Sequence, residues 1–444
     1  MSKLKNNKGI TLVALIITII VLLILAMVSI RLVMNGGIID RAHRGVKAYS
    51  DAEIQEQLKL AYQEYQMAKY SETGYTLQNA LSKTGLDIVS VEGNDSTGYE
   101  VKVNTRDGEK SYVLQANGTV GVASTEWTYD GHGTYTKGIK SVTVGQTVNY
   151  NQGSGYSFTA DTTKGMGASA NYNSNTKKYD LTQGAAYTTD TDITWKVLGV
   201  NSQGQVELIS SKPHSVMVAL ANEEGYLNGA DELDKLCNAL YGHGTGAAVQ
   251  NGARSLKVTD INTLANYDPA TDTANNSRYN TYRKYRFTSE GAYEYSDSTD
   301  GQTNWSNWTS IPSYYGVNSF TMIGSSNTLN ASNPGETEAI KHTYYSYNAK
   351  TAITSAISES FANMLVDSNN NQWLASSCVN AGSPAAGWRM FNLNSGGNIH
   401  YYSLYNSSGS SGGATYSVRP VVSLSSDISL EWNASANQWE IPNN

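Results

Sequence analysis

Lys8-Gly9-Ile10-Thr11-Leu12-Val13-Ala14-Leu15 opens an uncharged run that continues to Ile30. Between Lys8 and Arg31 no side chain ionises, and only Thr11, Thr18 and Ser29 interrupt the Ile, Leu, Val, Ala and Met. As a helix at ~1.5 Å per residue the run reaches about 30 Å, the thickness of a bilayer's hydrocarbon core. Lys3, Lys5 and Lys8 precede it and Arg31 alone follows closely. That bias places the N-terminus in the cytoplasm and the bulk of the chain outside. A secretory signal peptide fits less well, because the apolar region is long and no A-x-A site follows. A plain single-pass anchor explains the hydrophobicity but not the short Lys-rich leader that ends in Gly9.

The residues after Ile30 add a second helical pattern and then strands. Asn35-Gly36-Gly37 is poor helix text. From Asp51 to Lys69, however, Ile54, Leu58, Ala61, Tyr62 and Tyr65 draw one apolar stripe with Glu, Gln and Lys opposite. Three β-like runs follow at Tyr99 to Val103, Lys110 to Leu114 and Thr119 to Val122. Arg106-Asp107-Gly108 and Asn117-Gly118 supply the hairpin chemistry between them. From about Ala123 the texture turns to Gly, Thr, Asn, Ser and Tyr, which marks a domain boundary. Ile193 to Val200 and Val206 to Ser211 read as a hairpin, and Gly229 to Leu240 and Ser355 to Leu365 as short helices. Asp268 to Thr328 is polar and aromatic without a period and reads as long loops or an insertion.

Composition narrows the class. With 444 residues, 39% hydrophobic and 16% charged, the chain falls well under the roughly 25% charge of ordinary soluble domains. Tyr outnumbers Phe 31 to 5, which suits a secreted β-rich protein whose rings sit half exposed with the hydroxyl in water. A net charge of −7 and the lack of a basic cluster outside the leader argue against nucleic acid as a partner. Cys237 and Cys378 form either one disulfide outside the cell or two buried thiols; the sequence leaves both open.

The N-terminal stretch resembles the leader of type IV prepilins and pseudopilins, in the Gram-positive, clostridial lettering G-I-T-L-x-A-L. The resemblance implies cleavage by a prepilin peptidase between Gly9 and Ile10, methylation of the new terminus, and assembly with other pilin subunits. The usual Glu at the fifth mature position is replaced by Ala14, which puts the standard assembly contact in doubt. Farther on, Trp373-Leu374-Ala375-Ser376, Trp388-Arg389-Met390-Phe391 and Val418-Arg419-Pro420-Val421-Val422-Ser423-Leu424 resemble the formylglycine-generating-enzyme-like version of the C-type-lectin-like fold. Leu227-Asn228-Gly229, Asn251 to Leu256 and Asp260-Ile261-Asn262 extend that likeness over roughly 190–430. By it, Arg419 is expected in a buried structural ion pair rather than in catalysis.

Few residues have the arrangement that chemistry requires. His132, His214, His243, His342 and His400 are scattered, with no nucleophile beside a base, no phosphate loop and no metal-ligand spacing. Asp367-Ser368-Asn369-Asn370-Asn371 opens like a calcium loop, but Gln372 and Val379 occupy the positions that need Gly and Glu. An Asx turn fits better. No enzyme activity, cofactor or metal is expected. Asn380 to Tyr416 is rich in Tyr, Asn, Ser and Gly, the residues of paratopes, and resembles the variable region of proteins diversified by retroelements. The candidate ligand-binding residues are Asn380, Trp388, Asn392, Asn394, Asn398, His400, Tyr401, Tyr402, Ser403, Tyr405, Asn406 and Ser407. A glycine-rich solvent loop is the plain alternative. Tyr344, Tyr345, Tyr347, Trp305 and Trp308 either extend the surface or belong to a core.

The resulting expectation is an α+β chain. Residues 1–9 form a prepilin leader, and 10–70 a long pilin helix with its transmembrane segment at 10–30 and an amphipathic second half. A small antiparallel β head follows at 71–122 and a C-type-lectin-like binding domain at 123–444, with its core at 190–430. The expected function is a pilin-like adhesive subunit, inserted in the cell membrane and then carried into or onto the tip of a filament. Its ligand would be an extracellular protein or glycan. A solitary anchored surface receptor that never polymerises is the alternative.

Overall fold

The computed structural model describes residues 39–442 apart from 249–251, 273–281, 289–290, 296–318, 322–327, 331–337, 342, 381–386, 407–410, 427 and 429. Side chains are described from residue 51, and for 273–342 the backbone alone. The leader, the expected cleavage site at Gly9 and Ile10, the apolar run, Trp305, Trp308 and Ser407 lie outside the described residues, as does most of Asp268 to Thr328. The chain divides into two compact units. The smaller runs to Thr125 and takes in Lys137–Lys140; the larger comprises Glu126–Thr136 and everything from Ser141 onward.

In the smaller unit, helix α1 (Ile39–Ala68) buries the stripe of Ile54, Leu58, Ala61, Tyr62 and Tyr65. Against it lie Val101, Val103, Tyr112 and Leu114 from a four-stranded antiparallel sheet. The strands are β1 (Ile88–Asn94), β2 (Gly98–Thr105), β3 (Gly108–Leu114) and β4 (Val120–Val122), in that spatial order. Burying a leucine such as Leu58 stabilises the unit by about 1.5–3 kcal/mol. Asp51 pins the helix to β3, taking the ammonium of Lys110 and the hydroxyl of Tyr112. A short helix α2 (Leu77–Leu81) starts where the Thr76 hydroxyl accepts from the Asn79 amide, a side-chain N-cap. Sequence reading missed β1, an edge strand without a buried residue.

The larger unit is strand-rich. In chain order its principal strands are β5 (Thr147–Asn149), β6 (Met166–Gly167), β7 (Ser169–Asn173), β8 (Lys178–Thr182), β9 (Trp195–Val200), β10 (Val206–Ser210), β11 (Val218–Ala221) and β12 (Ala253–Ser255). They continue as β13 (Tyr347–Asn348), β14 (Gln372–Asn380), β15 (Gly387–Leu393), β16 (Asn398–Asn406), β17 (Gly413–Tyr416), β18 (Pro420–Ser423), β19 (Glu431–Asn433) and β20 (Gln438–Glu440). One sheet has the order β12-β18-β10-β9-β5-β20-β19, a second β13-β16-β15-β14 and a third β6-β11-β17, while β7 and β8 make a separate hairpin. Pairing is antiparallel throughout these sheets except between β20 and β5.

Helix α3 (Asn222–Tyr241) buries Leu233, Leu236, Cys237 and Leu240 in the common core. It begins seven residues before the expected Gly229, because Gly225 and Gly229 there serve close packing. A Cβ on Gly229 would stand 3.0 Å from both Leu220 and Met390. The expected helix at Ser355 to Leu365 is two, α5 (Ala349–Ala356) and α6 (Glu359–Leu365), preceded in the chain by α4 (Val258–Leu264).

Several expectations are corrected. The α+β class, with its long partly apolar helix and lectin-like mixed domain, gives way to an architecture of mostly short strands in small sheets with few helices. Among the described residues no helix is long and apolar enough to cross a membrane. The physical reason is local: after Ala123, apolar runs rarely exceed a strand's length before Gly, Asn or Ser punctuates them. Of the two states left open for Cys237 and Cys378, the structure has free, buried thiols. Arg419 is fully buried but forms no ion pair among the described residues. It donates to the Gln372 side-chain oxygen at 2.8 Å and to the carbonyls of Ser210, Met364 and Leu365 at 2.8, 3.2 and 3.2 Å. Asp367 makes the Asx turn, accepting from the Asn369 amide at 2.9 Å.

Candidate ligand-binding surface

The Tyr/Asn/Ser-rich segment folds mainly as the meander β14-β15-β16. Its register sets Cys378 opposite Arg389, Arg389 opposite Ser403, and Phe391 opposite Tyr401. At the β15–β16 turn, the Asn394 side-chain oxygen accepts from the amides of Gly396 and Asn398 at 3.0 and 2.9 Å. Asn394 and Asn398 are therefore spent on the turn. Trp388, Asn392 and Tyr405 are buried, with the Trp388 and Tyr405 rings 5.9 Å apart, so these three belong to the core. At the other end of the strands Asn380 and Asn406 flank Gly387. His400 is exposed and lies ring-to-ring on Tyr401 at 4.7 Å and 5°. Tyr402 is half-buried among Trp373 and Tyr416, at 6.3 and 5.9 Å between centroids.

Arg389, which sequence reading quoted without assigning a role, organises the surface part of this group. Its guanidinium lies 3.9 Å from the Tyr401 ring centroid and 5.8 Å from that of Tyr344. Tyr344 in turn meets Tyr401 edge-on at 4.3 Å. The side chain folds back over Gly387, where a Cβ would stand 2.7 Å from Arg389 Nε. Arg389 Nε and Nη1 are shielded from solvent and make no hydrogen bond among the described residues. The neighbouring Cys378 thiol is pushed well above its usual range by burial, against the pull of the guanidinium. Burial likewise raises the Tyr344 hydroxyl. Of the other expected aromatics, Tyr345 is core. Asn262 clamps Tyr345 and Tyr347 through hydrogen bonds of 2.6 and 2.9 Å.

The remaining polar clusters close on themselves. His214 Nδ1 lies 2.8 Å from the Tyr241 hydroxyl and 2.9 Å from Asp190 Oδ2, deep in the core. Burial works against the Asp190 charge, but bonds from His214 and Ser215 hold its carboxyl well below the usual range. His214 Nε2 is buried without a partner among the described residues, and the Asp190–His214–Tyr241 bonds brace the core. A polar cleft of about 860 Å³ is lined by Glu207, Arg254, Lys257 and Asp260 among others. Its arginine is saturated, with bonds to Glu207 at 3.2 and 2.8 Å, to Asp260 at 2.7 and 2.9 Å and to the Ser255 carbonyl at 3.1 Å. Among the described residues no group of three or more His, Cys, Asp or Glu is placed to hold a metal.

The group thus brings together stacked rings, a guanidinium and two N–H donors that have no acceptor among the described residues. Comparison of the chain with protein-family models, with curated proteins and with solved structures gives no match.

Proposed function

We propose that this chain is a pilin-like adhesive subunit that displays its larger unit outside the cell to hold a ligand. In this reading the leader is removed after Gly9. The apolar run from Ile10 to Ile30 keeps the precursor in the membrane until assembly, and Asn380, Ser403, Tyr401 and Arg389 face the ligand. The observation that carries the binding part is the Arg389–Tyr401–Tyr344 stack, with the guanidinium 3.9 Å from the Tyr401 ring. Rings immobilised by one another and by a cation lose little freedom when a ligand arrives. The sequence pattern at Lys8-Gly9-Ile10 supports the assembly part.

Mass spectrometry of the N-terminus from cells is the test. The expected product begins at Ile10 with an added methyl group, and replacing Gly9 blocks its appearance. A mature chain that retains Met1 sinks the pilin-like reading. Ala14, standing where a pairing carboxylate is usual, favours one second reading: an anchored surface receptor that does not polymerise. For that protein the processed terminus would be missing while binding persists. Sequencing the locus across a population checks whether Asn380 to Ser407 is a diversified surface, since an invariant segment would end that idea.

A further inference from the structure

We propose that Arg389 is the anchor of a carboxylate-binding subsite, so that the ligand of this surface carries a single negative charge there. The inference rests on the larger unit being a binding module, as above, and names what it binds.

The argument starts from how the buried arginines of this unit are satisfied. Arg254 is bracketed by Glu207 and Asp260, and Arg419 donates to four neutral oxygens. Arg389 instead has rings above it, and two shielded N–H groups with no acceptor among the described residues. Sequence accounts for the difference. From Ser368 to Ser426 there is no Asp or Glu, so the meander supplies no carboxylate of its own. A desolvated charged donor left without an acceptor is unfavourable. An acceptor that enters recovers that energy, and an anion recovers the most.

Placement supports the same conclusion. The side chain lies on Tyr401 at 3.9 Å and passes over Gly387, where a Cβ would stand 2.7 Å from its Nε. A guanidinium stacked by its face keeps its N–H groups in plane, and its Nε–H/Nη2–H edge suits a flat, two-oxygen partner. Charge decides between carboxylate and phosphate. Between Ser368 and Ser426 the only other Lys or Arg is Arg419, already saturated at a buried position. One cation neutralises a monoanion, whereas a phosphate near neutral pH asks for more. Ser403, directly across the strand pair from Arg389, adds a hydroxyl beside the expected carboxylate.

The test is titration calorimetry on the full chain in detergent micelles. Glucuronate and N-acetylglutamate serve as carboxylates on a sugar and on a peptide-like scaffold, with glucose and inorganic phosphate beside them. Saturable binding of at least one carboxylate is expected, with none for glucose. The Arg389→Gln protein should bind about tenfold or more weakly, the loss of one charge-assisted pair. Arg389→Lys should recover only part of that loss, because the charge returns without the fork. In case Arg389→Gln folds poorly, the Arg389 Nε–H resonance of the unmodified protein is followed during the titration, and it should shift with the same midpoint. Equal binding by Arg389→Gln, an Nε–H resonance that stays put, or phosphate binding tighter than either carboxylate overturns the proposal. Which carboxylate binds better identifies the scaffold. Failure here leaves the processed N-terminus intact as a finding, and a retained Met1 leaves the carboxylate site untouched.

Discussion

Glu223 should make the larger unit lose stability as the pH rises from about 4.5 to about 7. The residue sits in the first turn of α3, only 5% exposed, with one carboxyl oxygen shielded and unpartnered among the described residues. Burial, helped by the charge of Glu224 and opposed by Lys178, pushes its carboxyl from 4.5 up to about 7. The helix N-terminus favours the ionised form by about 0.3–1 kcal/mol, and burial outweighs it. The folded state therefore binds the proton more tightly than the unfolded chain. This contribution is fully present below 4.5, declines as the pH passes through the interval, and is gone above about 7. Its size is on the order of 3 kcal/mol at 1.36 kcal/mol per pKa unit. Glu223→Gln keeps the shape and cannot ionise. Urea unfolding followed by tryptophan fluorescence should give similar midpoints for the two proteins near pH 4.5. By pH 8 the variant's midpoint should be roughly 1 M higher. Every other titrating group is shared, so the difference between the curves isolates Glu223. Two curves that run parallel from acid to base would refute the reasoning.

Other substitutions probe separate parts of the fold. Leu58→Ala should destabilise the smaller unit by about 2–5 kcal/mol, while Leu60→Ala, on the exposed side of the same helix, should stay within about 0.5 kcal/mol; thermal melts of the two variants check the stripe. Asn222 holds φ at +62° and exchanges two 2.9 Å bonds with the Tyr179 backbone. Ala there should cost about 1 kcal/mol more than Gly in urea titrations, since both lose the bonds and only Ala keeps the left-handed strain. Arg419→Lys should lower stability by several kcal/mol, because one ammonium cannot reach all the acceptors the fork now serves; a circular-dichroism melt unchanged from the parent would count against it. Both thiols are buried and held protonated by burial, so a thiol reagent should label them only after denaturation.

How much of this was legible in the sequence depends on the range of the interaction. The stripe from Ile54 to Tyr65 and the turns at Asp107-Gly108 and Asn117-Gly118 are local patterns, and they foretell the helix face and hairpins of the smaller unit. The start of α3 was not legible. Gly225 and Gly229 read as helix breakers on propensity, yet they are where the helix must approach Leu220, Met390 and the Gly165 carbonyl. The α+β expectation failed because the apolar runs after Ala123 are only strand-length, and their pairing joins segments as distant as Ala253–Ser255 and Pro420–Ser423.

The candidate site divides along a similar line. Composition singled out Asn380 to Ser407, but composition does not know which side of a strand a residue takes. The strand Gly387–Leu393 is buried along nearly its whole length and takes Trp388 and Asn392 with it, while the turn consumes Asn394 and Asn398. Arg389 escaped notice because a single arginine between Trp388 and Met390 reads as core text. The signal was nonetheless in the chain: an arginine in a stretch without any Asp or Glu from Ser368 to Ser426 must find its partner elsewhere. Arg419 finds it in backbone carbonyls at the ends of β10 and α6, deep enough that water has no part. Arg389, half-buried on β15 beside the rings of Tyr401 and Tyr344, has no acceptor for its Nε and Nη1 groups among the described residues. Two cations of one acid-free segment thus differ in depth: the buried one braces the fold, and in the reading proposed above the half-buried one keeps its donors for a ligand.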